Sequence, residues 1–291
     1  MGGTARSRRD VRAWMLYDWA NSAFATTVLA AFFPMFFKKY WAADMAPGRS
    51  TALLGTAASA SVLLVLVVAV VLGPYADRTG RRRLMLAIMA AVGAASTFGL
   101  SLVPRGEPVL ALALYVLGML GFAGGNVFYV ALLPIVAPPG RLDDVSAKGF
   151  ATGYAGGGLL FALQVAMVAA PDRFGLADQA SAVRLSFALT GAWWAVFAVP
   201  VLLVVREPRS SPGRDEGEGG GSGRVLATVR RLTTHRDLFL FLVAFWFFGD
   251  GIGTVQKMSA AFATDIGLEA GDVSGALLMV QFIGIPAAWL Y

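Results

Sequence analysis

The chain is built from long apolar runs that alternate with short polar segments. Eight runs are long enough to be membrane-spanning helices, since about 20 apolar residues cross the roughly 30 Å of hydrocarbon in a bilayer. The predicted spans are 14–37, 52–72, 84–103, 109–133, 149–170, 185–205, 238–262 and 273–291. The pattern therefore predicts an all-α polytopic membrane protein.

Composition and charge agree with this fold class. The 291 residues are 57% hydrophobic and 14% charged, which excludes an ordinary soluble domain. A net charge of +6 could indicate nucleic-acid binding, but the basic residues lie at the ends of spans, where they set membrane orientation. The chain has no cysteine, so disulfides, thiol catalysis and cysteine metal sites are excluded.

The basic segment 1–12 precedes the first apolar run, as in a signal peptide. That run is too long for a signal peptide and carries Asp18, so it is predicted to be the first span. With the N-terminus in the cytoplasm, most of the 24 lysines and arginines fall on the cytoplasmic side. This distribution predicts a cytoplasmic N-terminus.

Residues 206–236 interrupt the series of spans. They are rich in Gly, Ser and charge, which predicts a flexible cytoplasmic linker, and 226–236 favours a short amphipathic helix. The predicted domains are a basic N-terminus at 1–12, a six-helix bundle at 13–205, the linker at 206–236 and two further spans at 237–291. Six spans, a linker and more spans form the layout of a two-halved transporter.

The charged segment between the second and third spans reads GPYADRTGRRR. Gly73 and Pro74 predict the end of the incoming helix, and Gly80 predicts a second tight turn. Clustered arginines alone would be a topology signal, but that leaves the spacing of the Asp and Gly residues unexplained. The pattern resembles the signature loop of the major facilitator superfamily, which implies a gating role. The predicted gating residues are Gly73, Asp77, Arg78, Gly80, Arg81, Arg82 and Arg83.

The first span carries a polar face. Asp18, Asn21 and Ser22 stand at i, i+3 and i+4, which places them on one side of a helix. A carboxylate at mid-bilayer costs roughly 2.5–3.5 kcal/mol on insertion scales, so it normally faces protein or water. Asp18 therefore either lines a binding cavity or lies near the inner interface and pairs with Arg12.

The seventh span repeats this arrangement. Asp250, Thr254 and Lys257 follow at i, i+4 and i+7, and the spacing of Asp250 and Thr254 matches that of Asp18 and Ser22. The flanking residues expected to loosen this helix are Gly249, Gly251 and Gly253. Asp250 either binds a solute or forms a structural pair with Lys257 or an arginine of another span.

Further polar residues lie in the fourth span. Asn126 and Tyr129 are predicted to share one face. Either residue could contact a ligand or form a hydrogen bond between packed helices, and the sequence favours neither.

Small and amide residues in other spans are expected to be structural. Gly149, Gly153 and Gly157 recur every four residues, which predicts close helix packing. Gln164 and Gln281 are single amides, for which a structural hydrogen bond is the preferred interpretation.

Signatures of catalysis are weak. No phosphate-binding loop, metalloprotease helix or serine nucleophile elbow occurs, so no cofactor, metal or ATP-driven pumping is expected. Two intramembrane aspartates raise the alternative of an aspartyl intramembrane protease, a family with YD and G-x-G-D motifs on adjacent helices. Here Phe247 stands where the first Gly is required, and the two aspartates are separated by six spans. The chain is therefore predicted not to be an enzyme.

Several runs resemble the vacuole-effluxer-like (autophagy-related) branch of the major facilitator superfamily, which includes bacterial facilitators of unknown substrate. They are AWMLYDWANSAFATTVLAAFFPMFFKKYW (13–41), ALLPIVAPPGRLDDVSAKGFATGYAGGGLL (131–160), GAWWAVFAVPVLLVV (191–205) and FGDGIGTVQKMSAAFATDIGL (248–268). The resemblance implies the major facilitator fold and secondary transport of a small solute by alternating access. Fungal relatives are linked to amino-acid export from the vacuole.

The resemblance also implies partners and a location. A small solute, with amino acids as one candidate class, would bind between spans one, four and seven, and a proton or another ion could couple transport. A bacterial inner membrane is the expected location. Such transporters normally have twelve spans and this chain ends in the eighth, which favours a truncated or partner-dependent member. A non-transporting membrane sensor is therefore an alternative.

Overall fold

The computed structural model describes residues 2–207 and 235–290. This part contains eight helices that are long and apolar enough to cross a membrane, which confirms the predicted fold class. The first helix, α1, is continuous from the α-helical Gly2–Ala23 through the π-helical Phe24–Phe32, the α-helical Phe33–Phe36 and the π-helical Phe37–Trp41. The others are α2 (Pro47–Thr79), α3 (Arg82–Leu100), α4 (Pro108–Val136), α5 (Leu142–Ala169), α6 (Gln179–Val204), α7 (Arg236–Asp265) and α8 (Ala270–Leu290).

Most of the predicted linker, and with it most of the predicted amphipathic helix at 226–236, lies outside the described residues. The linker and the division of the chain into two halves stay predictions.

The predicted end of the second helix at Gly73 and Pro74 is wrong. Both residues lie inside α2, which continues to Thr79. Glycine costs about 1 kcal/mol and proline about 3 kcal/mol in a helix interior, yet α2 continues through both residues. Membrane helices tolerate such residues when neighbouring groups satisfy the freed backbone groups. The turn occurs at Gly80, whose φ of 62° is left-handed and disfavours any residue with a Cβ.

Helix α1 forms the centre of the bundle. In its most apolar window 83% of the residues are buried, against 17% for α2. It packs against α5 and α6, while α3 packs against α4 and α6. Aromatic contacts reinforce this core, for example between Phe33 and Tyr115, whose rings stack at 4.3 Å.

The glycines of α5 allow α1 to approach closely, as predicted. A Cβ at Gly149 would collide with the Trp14 ring, and one at Gly157 would lie 3.0 Å from the Ser22 carbonyl oxygen. A Cβ at Gly153 would lie 3.1 Å from the Asp18 carboxylate. Close packing on α5 therefore positions the polar face of α1.

Helices α7 and α8 meet the first six helices differently. The described buried residues of α7 are Ala260, Ala261 and Ala263, all in its C-terminal third, and they pack near the C-terminal half of α1. Contrary to expectation, α7 remains α-helical through Gly249, Gly251 and Gly253. Helix α8 packs on α5, where Tyr154 lies against Gly284.

Candidate functional site

A cavity of about 380 Å³ lies between α1, α4, α5, α7 and α8. We call it the central cavity. Its walls are mainly apolar and include Phe122, Phe150 and Leu277. Its polar lining includes Asp18, Asn21, Ser22, Thr26, Asn126 and Gln281. The structure thus brings together the predicted polar face of α1 and one predicted residue of α4.

Asp18 is half-buried at the cavity wall. The ion pairs of the described side chains do not include Asp18, and Arg12 is exposed. The alternative that Asp18 is held by Arg12 therefore finds no support. A carboxylate within a membrane-spanning helix that has no cation beside it can attract one from a ligand.

Asn21 and Asn126 form a direct link between α1 and α4. The Asn21 Nδ2 group donates to Asn126 Oδ1 at 2.8 Å, and Asn21 is 1% exposed. This bond uses the amide oxygen of Asn126, and among the described residues its amide nitrogen has no hydrogen-bond partner. The pair therefore fixes the wall of the cavity and keeps a donor group at its surface.

Tyr129 is not among the residues that line the central cavity. Its ring stacks on Trp14 at 4.3 Å, and the Trp14 indole donates to the Tyr129 carbonyl oxygen at 3.0 Å. Among the described residues, its buried hydroxyl has no hydrogen-bond partner. Asn126 and Tyr129, predicted to share a face, thus have different surroundings, and Tyr129 packs in the bundle.

Gln164 joins three helices, which confirms its predicted structural role. Its Oε1 accepts a hydrogen bond of 2.5 Å from Thr27 on α1. Its Nε2 group donates to the Ser186 carbonyl oxygen at 3.1 Å and to Thr190 Oγ1 at 3.0 Å, both on α6. The side chain is completely buried.

Gln281 lines the central cavity, although the sequence suggested a structural amide. Its Nε2 group donates to Thr26 Oγ1 at 2.8 Å and so connects α8 to α1. Thr26 stands eight residues after Asp18 and four after Ser22, so it extends the polar face of α1. That periodicity was the available signal for Thr26, whereas nothing local marks Gln281.

The residues predicted on α7 are placed differently. Asp250 and Thr254 are exposed and are not among the residues that line the central cavity. Val255 and Ser259 supply the α7 contribution instead. The Lys257 side chain lies outside the described residues, so its pairing with Asp250 stays a prediction.

The segment between α2 and α3 forms its own cluster of polar contacts. The Arg82 Nε group donates to Asp77 Oδ1 at 2.6 Å, and Arg81 donates to the Tyr75 hydroxyl at 3.1 Å. Both contacts are exposed, so each contributes little to stability by itself.

Glu207 anchors the same cluster from the end of α6. Its two carboxylate oxygens accept backbone N–H groups of Arg82 and Arg83, at 3.0 and 2.6 Å. The Arg83 guanidinium returns a hydrogen bond of 2.8 Å to the Val205 carbonyl oxygen. A carboxylate at the start of α3 also interacts favourably with the helix dipole. The sequence missed Glu207 because it falls within the predicted linker.

The described residues form eight apolar helices, and five of these helices enclose a mainly apolar cavity with a polar patch on its wall. This arrangement defines an integral multi-pass membrane protein with the architecture of a major facilitator transporter. The chain belongs to the family described as Vacuole effluxer Atg22 like, whose profile matches residues 47–290.

Curated relatives agree with this membership. The chain is 33% identical to an uncharacterised MFS-type transporter, YxiO, of Bacillus subtilis over 98% of its own length and 67% of the relative. It is 29% identical to autophagy-related protein 22 of Pyricularia oryzae over 50% of the chain and 22% of that protein. The corresponding values for autophagy-related protein 22-1 of Penicillium rubens are 28%, 50% and 26%. No solved structure gives a significant match.

Proposed function

We propose that this protein is a secondary active transporter that moves a small solute with a positively charged group through the central cavity by alternating access. The observation that carries this proposal is Asp18, a carboxylate on the cavity wall with no described cation beside it.

The charge of the cavity favours cations and zwitterions over anions. None of the described residues that line it is Lys, Arg or His. Two unit charges 4 Å apart interact by about 4 kcal/mol at an effective dielectric constant near 20. An ammonium group near Asp18 would gain energy of this order, whereas a carboxylate there would be repelled.

The size and polarity of the central cavity narrow the class of solute that it can bind. A cavity of about 380 Å³ is within the range of small-ligand sites. Phe122 and Phe150 offer apolar contact, and Asn126 offers a donor for a carboxylate. Amino acids with cationic or apolar side chains fit this combination, and the effluxer family description supports export as the direction. A proton could occupy Asp18 when the solute leaves, which would supply the coupling.

Gating is assigned to opposite ends of the bundle. In this proposal the N-terminus and the segment between α2 and α3 face the cytoplasm of a bacterial-type inner membrane. The contact of α7 with α1 then lies at the outer end, where the Lys38 ammonium donates to the Ala261 carbonyl oxygen at 3.4 Å. The central cavity would be closed outside and open inside. The ion pair of Asp77 with Arg82 would rearrange when the inner face closes.

Uptake into proteoliposomes tests the proposal. The purified chain is reconstituted and offered radiolabelled lysine, leucine or glutamate with an imposed proton gradient. We expect lysine or leucine to be moved and glutamate to be excluded. Asp18→Asn should abolish uptake, while Asp143→Asn, an exposed carboxylate at the start of α5, should not. Glutamate transport, or full activity in Asp18→Asn, would contradict the assignment.

A non-transporting sensor is the second candidate. It is favoured by α7, whose most apolar window has 0% of its residues buried in the described structure and so leaves a large apolar face for a partner. Lysine binding to detergent-purified protein without movement across proteoliposomes would support this alternative.

The described structure does not place Asp18 and Asp250 in one site, as an intramembrane aspartyl protease would require. Asp18 lines the central cavity, whereas Asp250 is exposed and is not part of the lining. Two catalytic carboxylates must share one site.

A further inference from the structure

A second cavity of about 450 Å³ lies at the opposite end of α1 from the segment between α2 and α3. It is bounded by the C-terminal ends of α1 and α5 and by the N-terminal ends of α6 and α8. We call it the edge cavity. All four helix ends are on one membrane face, because α1 and α5 run in one direction and α6 and α8 run in the other.

One wall of the edge cavity is apolar and well packed. Phe32, Met35 and Phe36 line it and are only 3%, 6% and 7% exposed. The Phe36 ring stacks on Tyr40 at 4.4 Å and meets the Trp41 ring edge-on at 4.8 Å. This wall offers an apolar surface to a bound chain.

Two opposite charges stand at the rim. Lys39 and Asp178 both line the edge cavity and are exposed, and the described ion pairs do not join them. Asp178 Oδ1 accepts a hydrogen bond of 2.7 Å from the Ser181 N–H group. This bond caps α6. Hydrogen bonding with Ser181, with a smaller contribution from the charge of Arg184, holds the pKa of the Asp178 carboxyl below its ordinary value.

An apolar wall with one cation and one anion among its described lining residues matches an amphiphile with a zwitterionic headgroup. We propose that the edge cavity binds a phospholipid whose headgroup carries a phosphate and a primary amine. The phosphate pairs with Lys39, the amine donates to Asp178, and the start of one acyl chain lies on Phe32, Met35 and Phe36. A quaternary amine cannot donate a hydrogen bond to Asp178, and a headgroup with only negative charge meets repulsion there.

The bound lipid contacts both described ranges of the chain, 2–207 and 235–290. Ser274 lines the edge cavity from α8 and is 5% exposed, whereas the other lining residues belong to α1, α5 and the start of α6. The lipid therefore bridges the contact between α8 and the six-helix bundle. This inference is independent of the solute that the central cavity takes.

Native mass spectrometry of the detergent-purified chain tests the site. Delipidated protein is titrated with dioleoyl phosphatidylethanolamine, phosphatidylcholine or phosphatidylglycerol. We expect one tightly bound equivalent of phosphatidylethanolamine, with the other two binding about tenfold more weakly, as the loss of one charge-assisted hydrogen bond implies. Equal binding of phosphatidylglycerol would overturn the zwitterion assignment.

Matched variants localise the binding. Lys39→Gln and Asp178→Asn should each weaken phosphatidylethanolamine binding about tenfold. Asparagine is itself a good N-cap, so Asp178→Asn keeps the start of α6. Arg173→Gln and Asp172→Asn alter exposed charges of the neighbouring turn that do not line the cavity, and they should leave binding unchanged. Equal effects of the control and rim variants would refute the site.

The apolar wall has its own test. Ala180→Phe should fill the edge cavity and reduce phosphatidylethanolamine binding, with the melting temperature of the delipidated protein unchanged. Glycerophosphoethanolamine, which has no acyl chains, should not compete. Effective competition by this headgroup alone would show that the apolar wall is not used and would overturn the proposal.

Discussion

The Asn21 amide on α1 donates a hydrogen bond of 2.8 Å to the Asn126 amide on α4, across 105 residues of sequence. Asn21 is also the most deeply buried asparagine of the central cavity, at 1% exposure. The pair therefore joins two helices at the point where the proposed solute would bind, and it can be separated experimentally from the charge of Asp18.

A double-mutant cycle should detect this bond. Asn21→Ala and Asn126→Ala should each lower stability, and the double variant should lose about 0.5–1.5 kcal/mol less than the sum, because the second change removes a bond already lost. Thermal unfolding in detergent measures the three variants. Asn21→Ala combined with Thr56→Ala, on an exposed face of α2, is the control and should be additive. Additive behaviour of the asparagine pair would mean that the bond contributes nothing.

Two glycines of the charged segment should respond differently to alanine. Gly80 has a φ of 62°, so Gly80→Ala should lower stability by about 1–2 kcal/mol. Gly73 lies inside α2 with no atom within 4 Å of an added Cβ, so Gly73→Ala should be neutral or stabilise by about 1 kcal/mol. Thermal unfolding of both variants is the measurement. A loss of stability in Gly73→Ala would instead favour the sequence-based prediction that the helix ends at Gly73.

Glu207 should stabilise the start of α3. Glu207→Ala removes the acceptor for two backbone N–H groups and should cost about 0.5–2 kcal/mol, as for other helix caps. Glu107→Ala is the matched control, since Glu107 occupies the N-cap position of α4 without a side-chain hydrogen bond. Hydrogen exchange of the first turn of α3 would report the effect locally. Equal protection in the two variants would argue against the cap.

Gln164 and Gln281 should differ in what they affect. Gln164→Leu leaves buried polar partners on α1 and α6 and should cost about 1–3 kcal/mol in unfolding free energy. Gln281→Leu breaks one hydrogen bond at the cavity wall and should alter lysine uptake more than stability. Melting temperature and proteoliposome uptake, measured for both, separate the roles. The reverse pattern would place the structural amide on α8.

Asp250 remains a sequence-based prediction. If its carboxylate binds solute or a proton, Asp250→Asn should insert normally and lose uptake. If it only neutralises Lys257, the double variant Asp250→Asn with Lys257→Met should recover uptake, because both charges are then removed together. Uptake by the single and double variants, at equal protein incorporation, distinguishes the two roles.

The sequence was most informative where structure depends on local pattern. Runs of apolar residues predicted the eight long apolar helices of the described residues, and the spacing of Asp18, Asn21 and Ser22 predicted one wall of the central cavity. The failure at Gly73 and Pro74 reflects the length of α2, since local breakers act against the cooperativity of the whole helix.

Long-range pairings were beyond such reasoning. Gln281 meets Thr26 across 255 residues, and Glu207 meets Arg83 across 124. The local sequence around each of these residues does not predict its partner, because the pairing depends on which helices pack together in the bundle. The same applies to Lys39 and Asp178, which define the edge cavity only after α1 and α6 are packed.

The three-way hydrogen bonding of Gln164 has a mechanical consequence. Sliding α1 past α5 or α6 would leave several buried polar groups unpaired, at about 1–3 kcal/mol each. These three helices therefore resist sliding against one another, and we expect a change in the shape of the central cavity to come from the other helices that line it, α4, α7 and α8. Gln164 thus fixes α1, α5 and α6 to one another. The helices that we expect to move include α7 and α8, which follow residue 235.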